Sequence, residues 1–168
     1  MPNHCSNKLT VTGDSENLIE FSEFMKTDTE GQVQLLDLNK ICPEPDHGEE
    51  TDGCKWYNWR NTNWGTKWGC YETQVQRNAN ELTYTFQTAW SPFRYSIFTK
   101  MINSFPKLQF RLIYAEQGME FIGEYNHESQ WSKSDGIRYT PDESNNSDEC
   151  HDLIREYEEW EDLWMCSG

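Results

Sequence analysis

Apolar and polar side chains alternate in four separate stretches of this chain, and that pattern decides most of what it can fold into. Leu9 and Val11 alternate with Thr10 and Thr12, and Leu82, Tyr84 and Phe86 with Thr83, Thr85 and Gln87. Leu108, Phe110, Leu112 and Tyr114 recur at every second position, and Met119, Phe121 and Tyr125 share one face of a last segment around Gly123. A period of two marks a strand with one buried and one solvated face. Tyr71, Thr73 and Val75, set against Glu72, Gln74 and Gln76, add a fifth strand, and Asn78-Ala79-Asn80 makes the turn that follows it. Such alternation belongs to antiparallel sheets.

Helical spacing fills the gaps. Leu18, Phe21 and Met25, flanked by Ile19 and Phe24, predict a helix from Ser15 to about Lys26, with Gly13-Asp14-Ser15 offering its cap. Phe93, Ile97, Met101 and Phe105 predict a second, with Ser91 as cap, Pro92 in its first turn and Pro106 as its stop. Gln32–Leu38 reads as a short strand, residues 43–54 as a polar loop, and the Trp-rich segment after it as a short helix packed on the sheet, closed by Gly65. Leu153, Tyr157, Trp160 and Trp164, at steps of four, three and four, predict a terminal amphipathic helix beyond an irregular excursion over 126–150. Strand–helix followed by strand–strand–helix–strand is the ferredoxin-like pattern, an α+β sheet with helices on one face. The expected division is a ferredoxin-like domain over 1–125, with the Trp-rich insertion at 55–69, and an acidic loop and helix over 126–168.

The charge is lopsided. The whole chain of 168 residues carries 14 Lys and Arg against 29 Asp and Glu, for −15. Residues 1–115 hold 14 acids and 11 bases (−3), and residues 116–168 hold 15 acids and 3 bases (−12). Long nucleic acids and anionic membranes are poor partners for such a chain, because both are bound with cations. The plain reading of the acidic end is a solvated tail. The functional one is a surface that imitates a nucleic-acid backbone and fits a basic groove on another protein.

Several strings together resemble a known family. They are Pro2-Asn3-His4-Cys5-Ser6-Asn7 leading into Leu9-Thr10-Val11-Thr12-Gly13, then Leu36 through Pro45, and Trp56-Tyr57-Asn58-Trp59-Arg60 through Trp68. Thr88-Ala89-Trp90-Ser91-Pro92 and Gly118 through Tyr125 complete the set. In this order they resemble the Api92-like, YubB-like family with a ferredoxin-like domain, whose members occur in bacteriophages and conjugative plasmids. The resemblance covers about residues 2–125, with His4 standing where an aromatic is expected. It implies the fold and a setting, an intracellular accessory protein of a mobile element of the kind that inhibits host defences. It brings no catalytic residue and no cofactor.

The residues themselves offer two candidate sites. One is the terminal helix, where Asp152, Glu156, Glu159 and Asp162 form an acidic face beside Trp160 and Trp164. This is the expected partner-binding surface, with packing of its apolar stripe on the chain's own sheet as the structural alternative and a second copy of the chain as another occupant. The other is the segment with four Trp in positions 56–68. There Trp56, Trp59, Trp64, Arg60 and Lys67, together with His4, could hold a small ligand or nucleotide by stacking and charge, or simply plug the core. His4 and Cys5 are neighbours on a strand and point to opposite faces, which argues against a Cys–His catalytic pair. The six cysteines have no CxxC spacing and read as free thiols in a cytoplasmic protein; no metal is expected.

The sequence therefore predicts a non-enzymatic accessory protein that binds and inhibits a host nucleic-acid-handling defence protein, of CRISPR or restriction type, through an acidic, DNA-mimicking surface. The alternative is a small-ligand or nucleotide-binding protein, enzyme or not, that uses the Trp-rich segment.

Overall fold

The computed structural model describes residues 3–48, 53–127, 131–132, 137–138 and 148–165, with side chains in the last three segments described for 151–160 alone. In chain order the elements are β1 (His4–Thr12), α1 (Ser15–Met25), β2 (Thr27–Thr29), β3 (Gln32–Gln34), α2 (Lys55–Asn63), β4 (Tyr71–Arg77) and β5 (Glu81–Ala89). There follow α3 (Tyr95–Ser104), β6 (Gln109–Glu116), β7 (Phe121–Asn126), β8 (Trp131–Ser132), β9 (Ile137–Arg138) and α4 (Asp148–Met165).

The main sheet has the order β4-β5-β1-β6-β7-β8, with β9 also on β7, and every pair is antiparallel. It follows that β1 and β4 run in the same direction with β5 between them, and β5 and β6 run in the same direction with β1 between them. These two interleaved split βαβ units are the ferredoxin-like arrangement. β7 extends the sheet beyond it.

The alternation read for β1, β5 and β6 is what the sheet uses; the one read for β4 breaks at a register shift between Tyr71 and Gln74, so Tyr71 lies opposite Gln87 and the exposed Val75 opposite Tyr84, on different faces. Cys5, Asn7, Leu9 and Val11 of β1 face α1 and α3, in register with the same-facing Leu82, Tyr84 and Phe86 of β5 and Phe110, Leu112 and Tyr114 of β6. α1 contributes Leu18, Phe21 and Met25, and α3 contributes Ile97, Phe98 and Met101. Phe21 is the hub, edge-on to Tyr84, Phe105 and Phe110.

α4 lies on the other face of the sheet. Ile113 and Ala115 of β6, and Ile122 of β7, form a second buried cluster with Leu153, Tyr157 and Trp160. Among the described residues, α4 thus covers the β6–β7 half of that face, and the β4–β5–β1 half forms a polar trough.

Four further expectations need correction. The expected strand over Gln32–Leu38 is only the short β3, paired with β2 off the main sheet; Leu36 and Leu38 are buried, the latter in a 3-10 turn. α3 starts at Tyr95, not at Ser91, because the Ser91 hydroxyl donates to the Gly65 carbonyl at 2.7 Å and the Ser91 carbonyl accepts from Thr88. Met119 belongs to the turn before β7 and is exposed. The helix expected to pack its Trp residues on the sheet, α2, has no fully buried residue of its own: Trp59 packs half-buried against the core, and Trp64, just past its end, is the plug.

Candidate functional site

The Trp-rich segment builds its site around Arg60. α2 carries Trp56, Trp59 and Arg60 on adjacent turns, and Gly65, with φ +81°, closes the helix through hydrogen bonds from the Trp64 and Gly65 amides to the Arg60 carbonyl. Trp64 is thereby turned into the core, where its indole N–H donates to the Cys42 carbonyl at 2.9 Å. The Arg60 guanidinium sits 5.1 Å from the Trp56 ring centroid and 5.0 Å from that of Trp64, a double cation–π position. Its charge is already met: Nε and Nη2 bind Glu44 Oε2 at 2.8 and 2.7 Å. His47 Nε2 lies 3.1 Å from the other Glu44 oxygen and edge-on to Trp59. Burial pushes the Glu44 carboxyl upward, but the hydrogen bonds from Arg60 and His47 outweigh it and hold it below its ordinary range. Asn39, Asp46 and Gly48 complete the rim of a shallow depression here.

His4 and Lys67 belong to a second group. The His4 ring, through Nδ1, is 2.7 Å from the Tyr71 hydroxyl; Tyr71 meets Trp68 edge-on; and Lys67 Nζ lies 4.9 Å from the Trp68 centroid and 5.9 Å from that of Tyr57. Burial, with Glu72 nearby, raises the Tyr71 hydroxyl to about 12, so it stays protonated at neutral pH. Of the six residues expected to form one ligand site, the structure joins Trp56, Trp59, Arg60 and Trp64, and places His4 and Lys67 in the neighbouring aromatic row.

Cys5 is fully buried and desolvation pushes its thiol well up, which removes it as a nucleophile. Beside it Asn7 donates to the Cys5 carbonyl and to Thr88 Oγ1, tying β1 to the start of the Thr88–Pro92 turn.

On α4 the residues expected to bind a partner divide by face. Trp160 points inward onto Ile113, Ala115 and Ile122, and is buried. Glu156 accepts from Arg111 Nη1 at 2.9 Å and lies 3.5 Å from Lys8 Nζ. Burial opposes its ionisation, yet the Arg111 hydrogen bond and the two cations win and lower the Glu156 carboxyl below its usual range. Asp152, paired with Arg155 at 2.7 Å, and Glu159 are exposed, with Glu158 next to them. Asp162 and Trp164 lie on α4, with side chains outside the described residues.

A family described as the ferredoxin-like domain in Api92-like proteins matches residues 70–164, more than half of the chain. The chain belongs to this Api92-like family. The match runs through α4, beyond the point near residue 125 where the resemblance in sequence ended. The fold agrees: the crystal structure of Api92 from Yersinia pseudotuberculosis superposes with a TM-score of 0.60 over 79% of this chain and 97% of that one, at 10% identity. At that identity the likeness is one of fold. Among curated proteins, none matches the chain.

Sequence reasoning missed the partners that decide how the candidate residues behave. Glu44 and His47 lie in the stretch read as a polar loop, and Lys8 and Arg111 sit between the alternating apolar residues of β1 and β6. Each meets its partner across 13 or more positions of chain, apart from the His47–Glu44 contact at i, i+3, whose spacing was the one available signal.

Proposed function

We propose that the protein is a non-enzymatic binding protein whose α4 outer face engages a basic groove on a nucleic-acid-handling protein and occludes it. The phage and plasmid setting of the resemblance makes a host defence protein, of CRISPR or restriction type, the target class. What supports this reading is the way α4 is seated. Leu153, Tyr157 and Trp160 anchor one side of the helix to the sheet, and Asp152, Glu158 and Glu159 are exposed on the remainder. Carboxylates held on a docked helix keep fixed spacing, so a basic groove meets them with less ordering cost than a frayed tail would impose.

The nucleotide reading has less support, because the Arg60 guanidinium is already neutralised by Glu44 and a ligand phosphate would have to displace it.

The test is binding to a candidate basic partner across a salt series, with a variant carrying Asp152→Lys, Glu158→Lys and Glu159→Lys. Glu156 is left intact because it holds Arg111. Steep weakening with salt, and loss of binding in the triple variant, are expected. Tight binding indifferent to both would contradict the proposal.

A further inference from the structure

The β4–β5–β1 half of the sheet's second face forms a trough of about 500 Å³ between these strands and α4. Its size is within the range of small-ligand sites, yet its lining is unlike the usual apolar pocket. Gln74, Gln76 and Asn78, exposed along and just past β4, contribute amides, and Thr10, Thr83 and Thr85 contribute hydroxyls. Each amide or hydroxyl side chain both donates and accepts. A row of them on a rigid sheet is matched by ligand hydroxyls, which also do both.

The charges narrow the class further. Two bases, Lys8 and Arg111, line the trough together with three acids, Glu81, Glu156 and Glu159. Both bases share Glu156, and Arg111 also binds Glu124. The cations are therefore committed within the protein. Glu81 on β5 and Glu159 on α4 leave the site with an excess of carboxylate. Phosphates and other anions are repelled by that excess, and Trp160 is the one aromatic among the lining residues, too little apolar surface to select an apolar ligand.

We infer that the trough binds a hydroxyl-rich cation, of which an amino sugar oligomer is the chemical type. Its hydroxyls would pair with the β4 amides and the threonine hydroxyls, and its ammonium with Glu81 or Glu159. This site is separate from the outer face of α4 apart from Glu159, so its test uses Gln76 and Glu81.

Isothermal titration of the full chain at low salt, with a glucosamine tetramer as probe, tests the inference. The N-acetylated tetramer, which keeps the hydroxyls and loses the charge, and spermidine, which keeps charge without hydroxyls, are the comparators. The glucosamine tetramer is expected to bind best. Glu81→Gln should weaken it about tenfold and Gln76→Ala about fivefold, as loss of one charged and one neutral hydrogen bond would. Lys107→Ala, on the exposed surface after α3, should leave it unchanged. Absence of binding, equal binding of either comparator, or indifference to both trough variants would overturn the inference. Because neither variant alters Asp152, Glu158 or Glu159, capture of a basic protein partner would be unaffected whichever result is found.

Discussion

The Glu156 carboxylate of α4 accepts a hydrogen bond from Arg111 Nη1 at 2.9 Å, while Arg111 Nε binds Glu124 on the adjacent strand β7. One guanidinium thus joins β6, β7 and α4. This relationship sorts the acidic helix into two roles, with Glu156 fastening it to the sheet and Asp152, Glu158 and Glu159 exposed.

Glu156→Gln should destabilise the protein by about 1 kcal/mol at neutral pH, the scale of a half-exposed ion-pair network. The folded state holds the Glu156 carboxyl below its ordinary range. Its contribution is therefore complete above the unfolded-chain value of about 4.3 and fades as pH falls through the lower folded-state value. Urea midpoints of the two proteins should differ at pH 7 and converge in acid. A difference that persists unchanged in acid would contradict the ion pair.

Trp160→Ala removes the largest side chain that α4, among the described residues, buries against Ile113, Ala115 and Ile122. A cost of about 3 kcal/mol is expected, with α4 amides exchanging faster than those of the main sheet. Hydrogen exchange by mass spectrometry reads both. Unchanged protection over 148–165 would show that the helix is not held by this cluster.

Gly123 on β7 leaves room for the ring of Tyr114. A Cβ there would collide with the Tyr114 ring and hydroxyl, so Gly123→Ala forces that ring off Tyr125, 5.2 Å away, and Phe121, 6.2 Å away. A loss of about 1–3 kcal/mol in stability is expected from such overpacking. Thermal unfolding would show it, and a neutral result would mean that the ring has space elsewhere.

The thiols should separate by burial. Cys54 is exposed, whereas Cys5, Cys42 and Cys70 are buried, and desolvation raises the Cys5 and Cys70 thiols. Native alkylation followed by peptide mass mapping should label Cys54 quickly and those three only after denaturation. Fast native labelling of Cys5 would contradict its burial in the core cluster.

Strands β1 and β5 were legible because each buries every second residue: Leu82, Tyr84 and Phe86 could only be read one way. α1 was legible for the same reason at a different period. The start of α3 was misread because Ser91 and Pro92 look like a helix opening, and only the Gly65 carbonyl, 26 residues earlier, shows where the Ser91 hydroxyl goes. Trp64 and Trp56 are alike as sequence, yet the turn at Gly65 buries one and leaves the other half-exposed. α4 was visible as an amphipathic helix, but the face it covers was not, because Ile113 and Ala115 sit between the alternate residues of a strand whose other face is also buried. The Glu156–Arg111 pair spans 45 positions and had no local signature.

The central claim, that the outer face of α4 binds a basic protein, is tested most directly by affinity capture. The wild-type chain and the Asp152→Lys, Glu158→Lys, Glu159→Lys variant would be immobilised side by side, loaded with host lysate at low salt and eluted on a salt gradient. A stoichiometric, basic nucleic-acid-handling protein is expected to elute at intermediate salt from the wild type and to be missing from the variant. The same proteins from both columns, or none from either, would contradict it.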